Sequence, residues 1–487
     1  MTDESPCRLD ALELSRRIHA RELSCCEVMT AHLARIGRLN PRFNAIVSLR
    51  DGDLLLAEAD RCDAELARGA SRGWMHGFPH AIKDLEPTAG IRTTWGSPVF
   101  AEHVPAEDSL LTARIRAAGA IVIGKTNVPE WGLGSQTYNP VFGTTVNAYD
   151  PTLTCGGSSG GAAVALALRL APLADGSDMG GSLRNPAGFS NVFGLRPSRG
   201  RVPKWPADEV FFTQLPTEGP MARTVPDLAA FLATLAGPDP RQPLSLPYDA
   251  AIAALGPARS PVRPGARIGW LGDYGGHLVV EPGVLPLCER ALRDFAALGC
   301  SVEPTPLGHD PEAIWQAFVV LRSFALAGRF ASWRDDPQRW ARLKPEAQWE
   351  VEQGLKLDGL AVWRASVARS AWHAHVLTLL GRFDALALPT AQFFAFDARL
   401  PWPAELAGRT MDSYHRWMEV VVGATLAGLP AVSVPAGFDP RGVPMGLQLV
   451  GRPGGEAALL QLAHDYDRAT RWVERRPPPA HLTGDAG

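Results

Sequence analysis

The sequence predicts an α/β fold, and three observations carry that prediction. The first 70 residues repeat apolar positions at three-to-four spacing, from about Phe78 short β-branched runs alternate with helical segments, and residues 266–304 read strand, helix, strand. In the N-terminal segment (1–70), Leu9, Leu12, Leu14 and Ile18, then Val28, Leu33 and Ile36, then Leu54, Leu55, Ala59 and Leu66 mark helical faces that pack on a core, with Asp10 and Ser24 placed as N-caps. In the core that follows (71–236), residues 109–118 read as a helix and 120–123 as a strand. The alanine-rich stretch 161–170 reads as a short buried helix that ends before Pro172, because proline lacks the N–H that would continue it. Residues 237–265 are dense in Pro, Gly and Ala and read as a surface connection between two halves of the chain. In the second half (266–487), 266–271 and 300–304 flank a helix over 284–298, giving a βαβ-like unit. Residues 311–381 are helical and rich in tryptophan, 383–388 and 431–434 are buried strands, and a helix starts near Glu456 and runs to Thr470. No internal repeat is present, and one structural domain is expected overall.

Bulk properties exclude several classes of function. A chain of 487 residues with 46% hydrophobic and 20% charged residues is ordinary globular material, neither disordered nor fibrous. A formal charge of −3 without a long Lys/Arg run lacks the electrostatic footprint of a nucleic-acid-binding protein. The seven cysteines (Cys7, Cys25, Cys26, Cys62, Cys155, Cys288 and Cys300) are odd in number and contain no CxxC pair, which argues against a disulfide framework or a zinc site and fits a reducing cytoplasm. Residues 1–10 are polar and acidic, unlike a secretory leader, and the apolar stretch 162–174 is shorter than the roughly 20 residues of a membrane span. A soluble cytoplasmic protein with neither nucleic acid nor membrane as partner is therefore expected.

The chemistry concentrates in one Gly/Ser-rich region. Thr154-Cys155-Gly156-Gly157-Ser158-Ser159-Gly160-Gly161 is followed by Asp178-Met179-Gly180-Gly181-Ser182-Leu183-Arg184. Paired glycines before a serine let backbone N–H groups approach a carbonyl without Cβ interference, as an oxyanion hole requires. A single such cluster is ordinarily a flexible turn; two clusters around an alanine-rich helix point further. A serine nucleophile needs a base, yet none of the twelve histidines carries a local signature tying it to these serines. Lys83, in His80-Ala81-Ile82-Lys83-Asp84-Leu85, follows an apolar pair. Burial there would lower its pKa toward the neutral form that accepts a proton; a surface pair with Asp84 is the plainer alternative.

These elements together resemble the amidase signature family. Ile82-Lys83-Asp84, the two Gly/Ser blocks, Gly194-Leu195-Arg196-Pro197 and Gly219-Pro220-Met221-Ala222-Arg223 occur in that family's order. So do Leu426-Ala427-Gly428-Leu429-Pro430-Ala431-Val432-Ser433-Val434-Pro435-Ala436-Gly437 and Gly446-Leu447-Gln448-Leu449-Val450-Gly451-Arg452-Pro453, and the resemblance runs from about Ala11 to Pro477. It implies an α/β/α architecture on a large, twisted mixed sheet with the active site near its centre. It implies Ser182 as nucleophile, Ser158 as a bridging serine after a cis peptide, Lys83 as base, and the N–H groups of Met179, Gly180, Gly181 and Ser182 as the oxyanion hole. Leu133, Gly134 and Ser135, and less directly Tyr138, would border the substrate. No metal or organic cofactor is implied, and a homodimer is compatible with the resemblance. Cys155 stands where family members often carry proline; as a rival nucleophile it is a poor choice, since free cysteines commonly act as buried small hydrophobes.

Other readings fit less well. Gly119–Thr126 matches the Walker A spacing, but its variable positions Ala120-Ile121-Val122-Ile123 form a strand by composition, whereas a phosphate cradle is a loop. Gly156–Gly160 matches a nucleophile elbow with Ser158 as attacker, but the preceding residues, including Asp150 and Pro151, are not strand-like. His373 and His375 stand at i and i+2, which do not share a helix face, so they make a weak metal pair. The expected function is cleavage of a C–N bond in an amide or anilide of a small or apolar acyl group, or in a carbamate or urethane. The alternatives are an amidotransferase-type subunit working with a partner and a non-catalytic binding protein on the same fold. Trp315, Trp333, Trp340, Trp349, Trp363, Trp372, Trp402 and Trp417 fall in the helical cover (315–417), where core packing is the plainer role and a pocket lining the sharper one.

Overall fold

Two sheets organise the chain, whose computed structural model describes residues 4–255 and 265–485. Residues 256–264 of the expected 237–265 connection, and residues 1–3 and 486–487, lie outside the described residues. The smaller sheet contains β1 (Ile46–Val47), β2 (Pro79–Lys83) and β3 (Ile121–Thr126) in the order β1-β3-β2, with β2 and β3 parallel. The larger contains β4 (Ala174–Asp178), β5 (Phe193–Arg196), β6 (Thr217–Ala222), β7 (Arg267–Trp270), β8 (Ser301–Pro304), β9 (Ala385–Pro389), β10 (Ala431–Phe438) and β11 (Pro444–Val450). Their order is β8-β7-β9-β11-β10-β5-β6-β4, with β7 parallel to β8 and β9 and the remaining pairs antiparallel, so the sheet is mixed. Strands β2, β3, β5, β6, β9 and β11 are buried at every position. Polar members of such strands, His80, Lys83 and Glu218 among them, must find partners inside the protein.

Helices cover these sheets where the periodicity places them. α1 (Ala11–His19), α2 (Cys25–Phe43) and α3 (Gly52–Ala67) form the N-terminal segment. Ser24 closes a capping box: its hydroxyl accepts the Glu27 N–H at 3.0 Å, and the Glu27 carboxylate accepts the Ser24 N–H at 2.8 Å. α4 (Leu110–Ala117) leads into β3, and α5 (Gly160–Ala167), α6 (Arg184–Phe189) and α7 (Val225–Leu235) follow. α5 is buried along its whole length and stops three residues before the expected end at Leu170, because Arg169 takes a left-handed conformation (φ 58°) that turns the chain ahead of Pro172. α8 (Val284–Ala297) joins the parallel pair β7 and β8, the expected βαβ unit. α9 (Pro311–Phe330), α10 (Pro345–Gly354) and α11 (Gly359–Arg382) form the tryptophan-rich cover, followed by α12 (Val422–Ala427) and α13 (Glu456–Thr470). Within the cover Trp315, Trp333, Trp372 and Trp417 are buried and Trp363 is exposed, so packing is the leading role of these indoles. No helix among the described residues is long and apolar enough to cross a membrane.

Candidate active site

The site lies where the small sheet meets the edge of the large one. Asp175 on the edge strand β4 accepts the backbone N–H of Lys83 at 3.0 Å through Oδ2, and its Oδ1 lies 3.0 Å from His80 Nε2. Lys83 is thereby fixed at the end of β2 with its side chain 1% exposed. Its Nζ donates to three hydroxyls, Ser158 Oγ at 2.9 Å, Ser159 Oγ at 2.8 Å and Ser177 Oγ at 2.9 Å. Burial pushes the lysine down to about 7, and the more distant carboxylates of Asp175, Glu86 and Asp178 offset that only in part. Asp84 is not its partner: that carboxylate accepts the Thr94 hydroxyl at 2.6 Å and the Thr94 N–H at 3.1 Å.

Ser158 follows a cis peptide from Gly157 and is 2% exposed. The next N–H, of Ser159, donates to the Ser182 carbonyl at 3.3 Å, which lays the two Gly/Ser segments side by side. Glycine at 176 makes this possible, since a Cβ there would stand 2.7 Å from Ser159 Oγ and 2.6 Å from Leu183 Cδ2. Ser182 lies in the turn between β4 and α6 and is 6% exposed.

Asp178 closes that turn from both sides. Its Oδ1 accepts the Gly181 N–H at 3.0 Å and its Oδ2 the Leu183 N–H at 3.2 Å, the two residues flanking Ser182. Arg184 binds the same carboxylate through Nε at 3.0 Å and Nη2 at 2.9 Å, and Arg196 adds a third contact at 3.2 Å. Burial alone would raise the Asp178 carboxyl; the Arg184 and Arg196 guanidinium groups outweigh it and hold the group well below the usual carboxylate range. Arg184 also donates to the Val421 carbonyl and to Gln448 Oε1, both at 2.8 Å, tying the turn to the C-terminal half of the chain. Of the four N–H groups expected in the oxyanion hole, Gly181 therefore already has a partner. Those of Met179, Gly180 and Ser182 have none among the described residues.

The residues expected to border a substrate take different places. Gly132 adjoins the site directly, since a Cβ on it would lie 3.4 Å from Ser158 Oγ. Leu133 is buried in an apolar cluster with Trp131, Phe330 and Trp333, and its carbonyl accepts Lys344 Nζ at 2.9 Å. A Cβ placed on Gly134 would lie 3.9 Å from Tyr414 Cε2, and the Ser135 hydroxyl donates to the Met418 thioether. Tyr138 lies in a two-residue ribbon with its hydroxyl 3.4 Å from Glu346. From the cover, Phe318 comes within 3.8 Å of a Cβ placed on Gly180, and Arg322 donates to Met179 Sδ at 2.9 Å. Arg322 is held in turn by Glu350 at 2.6 Å and the Tyr414 hydroxyl at 2.7 Å.

Sequence reasoning assigned no role to Ser159, Ser177, Asp175 or the Asp178–Arg184 clamp. The doubled serine at 158–159 and the position of Asp178 at the head of its block were available signals. Asp175 had none, because its importance arises only where the two sheets meet. The Walker-like stretch is strand β3, as its composition requires. Its Lys125 is buried and pushed by that burial down to about 8, with Nζ 2.6 Å from the Glu86 carbonyl and 2.7 Å from Thr88 Oγ1. His373 and His375 bond to different carbonyls, Ala427 at 3.0 Å and Leu307 at 2.7 Å.

Two groups among the described residues have ligand atoms close enough to share a cation, Cys62 with Glu65 and His76, and His277 with Glu312 and Glu419. In each, an arginine already neutralises the acids: Arg72 lies 2.6 Å from Glu65, and Arg416 lies 2.7 Å from Glu312 and 3.0 Å from Glu419.

Comparison with known proteins supplies the wider context. The Amidase family model matches residues 27–460. A subunit of the glutamyl-tRNA(Gln) amidotransferase of Thermosynechococcus vestitus is 34% identical over 96% of this chain and 98% of its own. An acylamidase of Rhodococcus erythropolis is 32% identical over 98% of each. A bacterial aryl acylamidase of the amidase signature enzymes superposes with a TM-score of 0.89 at 25% identity, over 98% of this chain and 99% of that one.

Proposed function

The chain belongs to the amidase signature family and is an amidase-type hydrolase, and from that premise we propose that Ser182, Ser158 and Lys83 act as nucleophile, relay and base on an amide or anilide of a small or apolar acyl group. The observation that carries this reading is the buried Lys83, pushed down to about 7 with its Nζ 2.9 Å from Ser158 Oγ. Neutral Lys83 takes the Ser158 proton as Ser158 takes that of Ser182. The freed Ser182 oxygen bonds to the acyl carbon, and the carbonyl electron pair moves onto oxygen. That oxyanion meets the N–H groups of Met179, Gly180 and Ser182, with Gly181 joining only by leaving Asp178; each such donor is worth about 10²–10³ in rate. Collapse breaks the C–N bond, the amine leaves with the proton returned along the relay, and water enters by the same route to release the acid. A carbamate presents the same carbonyl and leaving nitrogen, so urethanes belong to the substrate range. Phe318 and Val421, which stand against Gly180 and Gly181 of the turn that carries Ser182, favour an apolar acyl group.

Labelling the purified chain with a fluorophosphonate and mapping the adduct by mass tests the roles. A single adduct on Ser182, slowed about 10²–10⁴-fold in both Lys83→Ala and Ser158→Ala, is expected. An adduct on Ser158 would transfer the nucleophile to the elbow reading. A panel of short-chain anilides, urethanes and charged primary amides tests the substrate class, and cleavage of the last group alone would overturn it.

A second reading rests on the full-length likeness to the amidotransferase subunit. In that reading the same serine chemistry releases ammonia to a partner, and the purified chain alone would leave the anilide panel untouched.

A further inference from the structure

A cavity of about 820 Å³ opens beside the second half of the chain, and none of Lys83, Ser158 and Ser182 lines it. One wall is a face of α11, on which Ser366, Arg369, Ser370 and His373 recur at helical spacing; Arg199 and Tyr248 also line the cavity. The floor is the C-terminal end of α12. There the Leu426 carbonyl accepts Arg369 Nε at 2.7 Å, the Ala427 carbonyl lies 3.0 Å from His373 Nδ1, and the Gly428 carbonyl accepts the Arg199 N–H at 3.1 Å. The bond to Leu426 orients the Arg369 guanidinium without neutralising it; Arg199 is held there by its backbone, and its Nη1 donates to Gln214 Oε1.

Among the described residues neither Arg199 nor Arg369 has an ion-pair partner. Burial, and after it the neighbouring Arg199, hold Arg369 down at about 10, whereas Arg199 reaches the solvent-exposed rim of the cavity. Arg201 is paired with Glu456 at 3.1 Å, and the carboxylate in the lining, Asp249, caps the short helix 250–253 by accepting the Ala251 N–H at 3.0 Å. Two guanidinium groups that line one cavity, neither with an ion-pair partner, offer a bridging anion donors from both sides.

We propose that this cavity binds a phosphate-bearing small molecule, whose oxyanion spans the guanidinium groups of Arg199 and Arg369 with the Ser370 hydroxyl beside it. A phosphate offers the several acceptor oxygens that two planar guanidinium groups can share. The volume lies within the range of small-ligand sites. The exposed Tyr248 ring supplies a face for an organic group on the phosphate.

Calorimetric titration of the full chain with inorganic phosphate, pyrophosphate and phenyl phosphate, at constant ionic strength held with chloride, tests this. Saturable one-to-one binding is expected, weakened about tenfold or more in Arg199→Gln, with Ser182 labelling unchanged in that variant. Phenyl phosphate binding about tenfold more tightly than inorganic phosphate assigns the site to organic esters, whereas equal affinities assign it to the free oxyanion. Phenylglyoxal modification of the unaltered protein gives a second reading that does not depend on a variant folding: pyrophosphate should protect Arg199 and Arg369. Absence of saturable binding up to about 10 mM, a range in which even a weak site with millimolar Kd would fill, overturns the proposal. So does binding that Arg199→Gln leaves intact, or modification that pyrophosphate does not slow.

Discussion

With Lys83, Ser158 and Ser182 acting as proposed, lowering the pH should slow reaction at Ser182 by protonating Lys83. Only neutral Lys83 can draw a proton from Ser158, and its pKa near 7 makes it about one-tenth neutral at pH 6 and about nine-tenths neutral at pH 8. The base is present above about pH 7 and lost as pH falls through it, so the rate should drop about tenfold between pH 8 and pH 6 and level off above pH 8. An exposed lysine near 10.5 behaves differently, its neutral fraction rising about tenfold per pH unit throughout that range. The difference corresponds to about 5 kcal/mol of disfavoured charge at Lys83, supplied mainly by burial. The same shift sets the sign for stability. Between about pH 7 and 10.5 the unfolded chain holds a proton that the folded chain lacks, so this lysine's contribution becomes less unfavourable as pH rises through that window. The assay is the second-order rate of fluorophosphonate labelling at Ser182 from pH 5 to 10, which needs no substrate and no protonation of a leaving amine. A rate that keeps rising to pH 10, or one that is flat throughout, would refute the assignment of Lys83 as a base tuned by burial.

Three further outcomes follow from contacts in and around the two Gly/Ser segments. Asp178→Asn leaves Arg184 and Arg196, both 0% exposed, without their shared carboxylate, and should cost about 3–5 kcal/mol in denaturant unfolding along with the Ser182 label. Gly176→Ala forces a methyl group to within 2.7 Å of Ser159 Oγ and 2.6 Å of Leu183 Cδ2; a loss of about 1–3 kcal/mol and a labelling rate down by more than about tenfold are expected, read by thermal melts and mass spectrometry. Cys155→Ala should label at the wild-type rate, because the Cys155 thiol is fully buried and pushed by that burial up to about 12; a large fall in rate would bring the cysteine back as a participant.

Much of this site could be read along the chain. The apolar pair Ala81-Ile82 before Lys83 foretold a buried lysine, and the paired glycines before Ser158 and Ser182 foretold two tight, small-residue segments. The mixed α/β/α architecture was implied by the resemblance those motifs carry, and the large sheet is mixed. The β-branched composition of 120–123 also disposed of a nucleotide-binding loop, and strand β3 stands there.

What the chain alone could not give is whatever depends on two distant segments meeting. Asp175 matters because β4 is the edge strand of one sheet and β2 belongs to another, and Ser177 reaches Lys83 across that junction at 2.9 Å. The Gly181 N–H, expected to face a substrate, is turned onto Asp178 by a clamp that Arg196 and Gln448 complete from elsewhere in the sheet. Arg199, just after β5, and Arg369, on α11, line one cavity only in the folded chain. Local composition determined which residues carry reactive groups and which backbone shapes they tolerate. Burial, charge pairing and the resulting pKa values belong to the tertiary structure, since they depend on the charges and dielectric that segments hundreds of residues apart bring to one point.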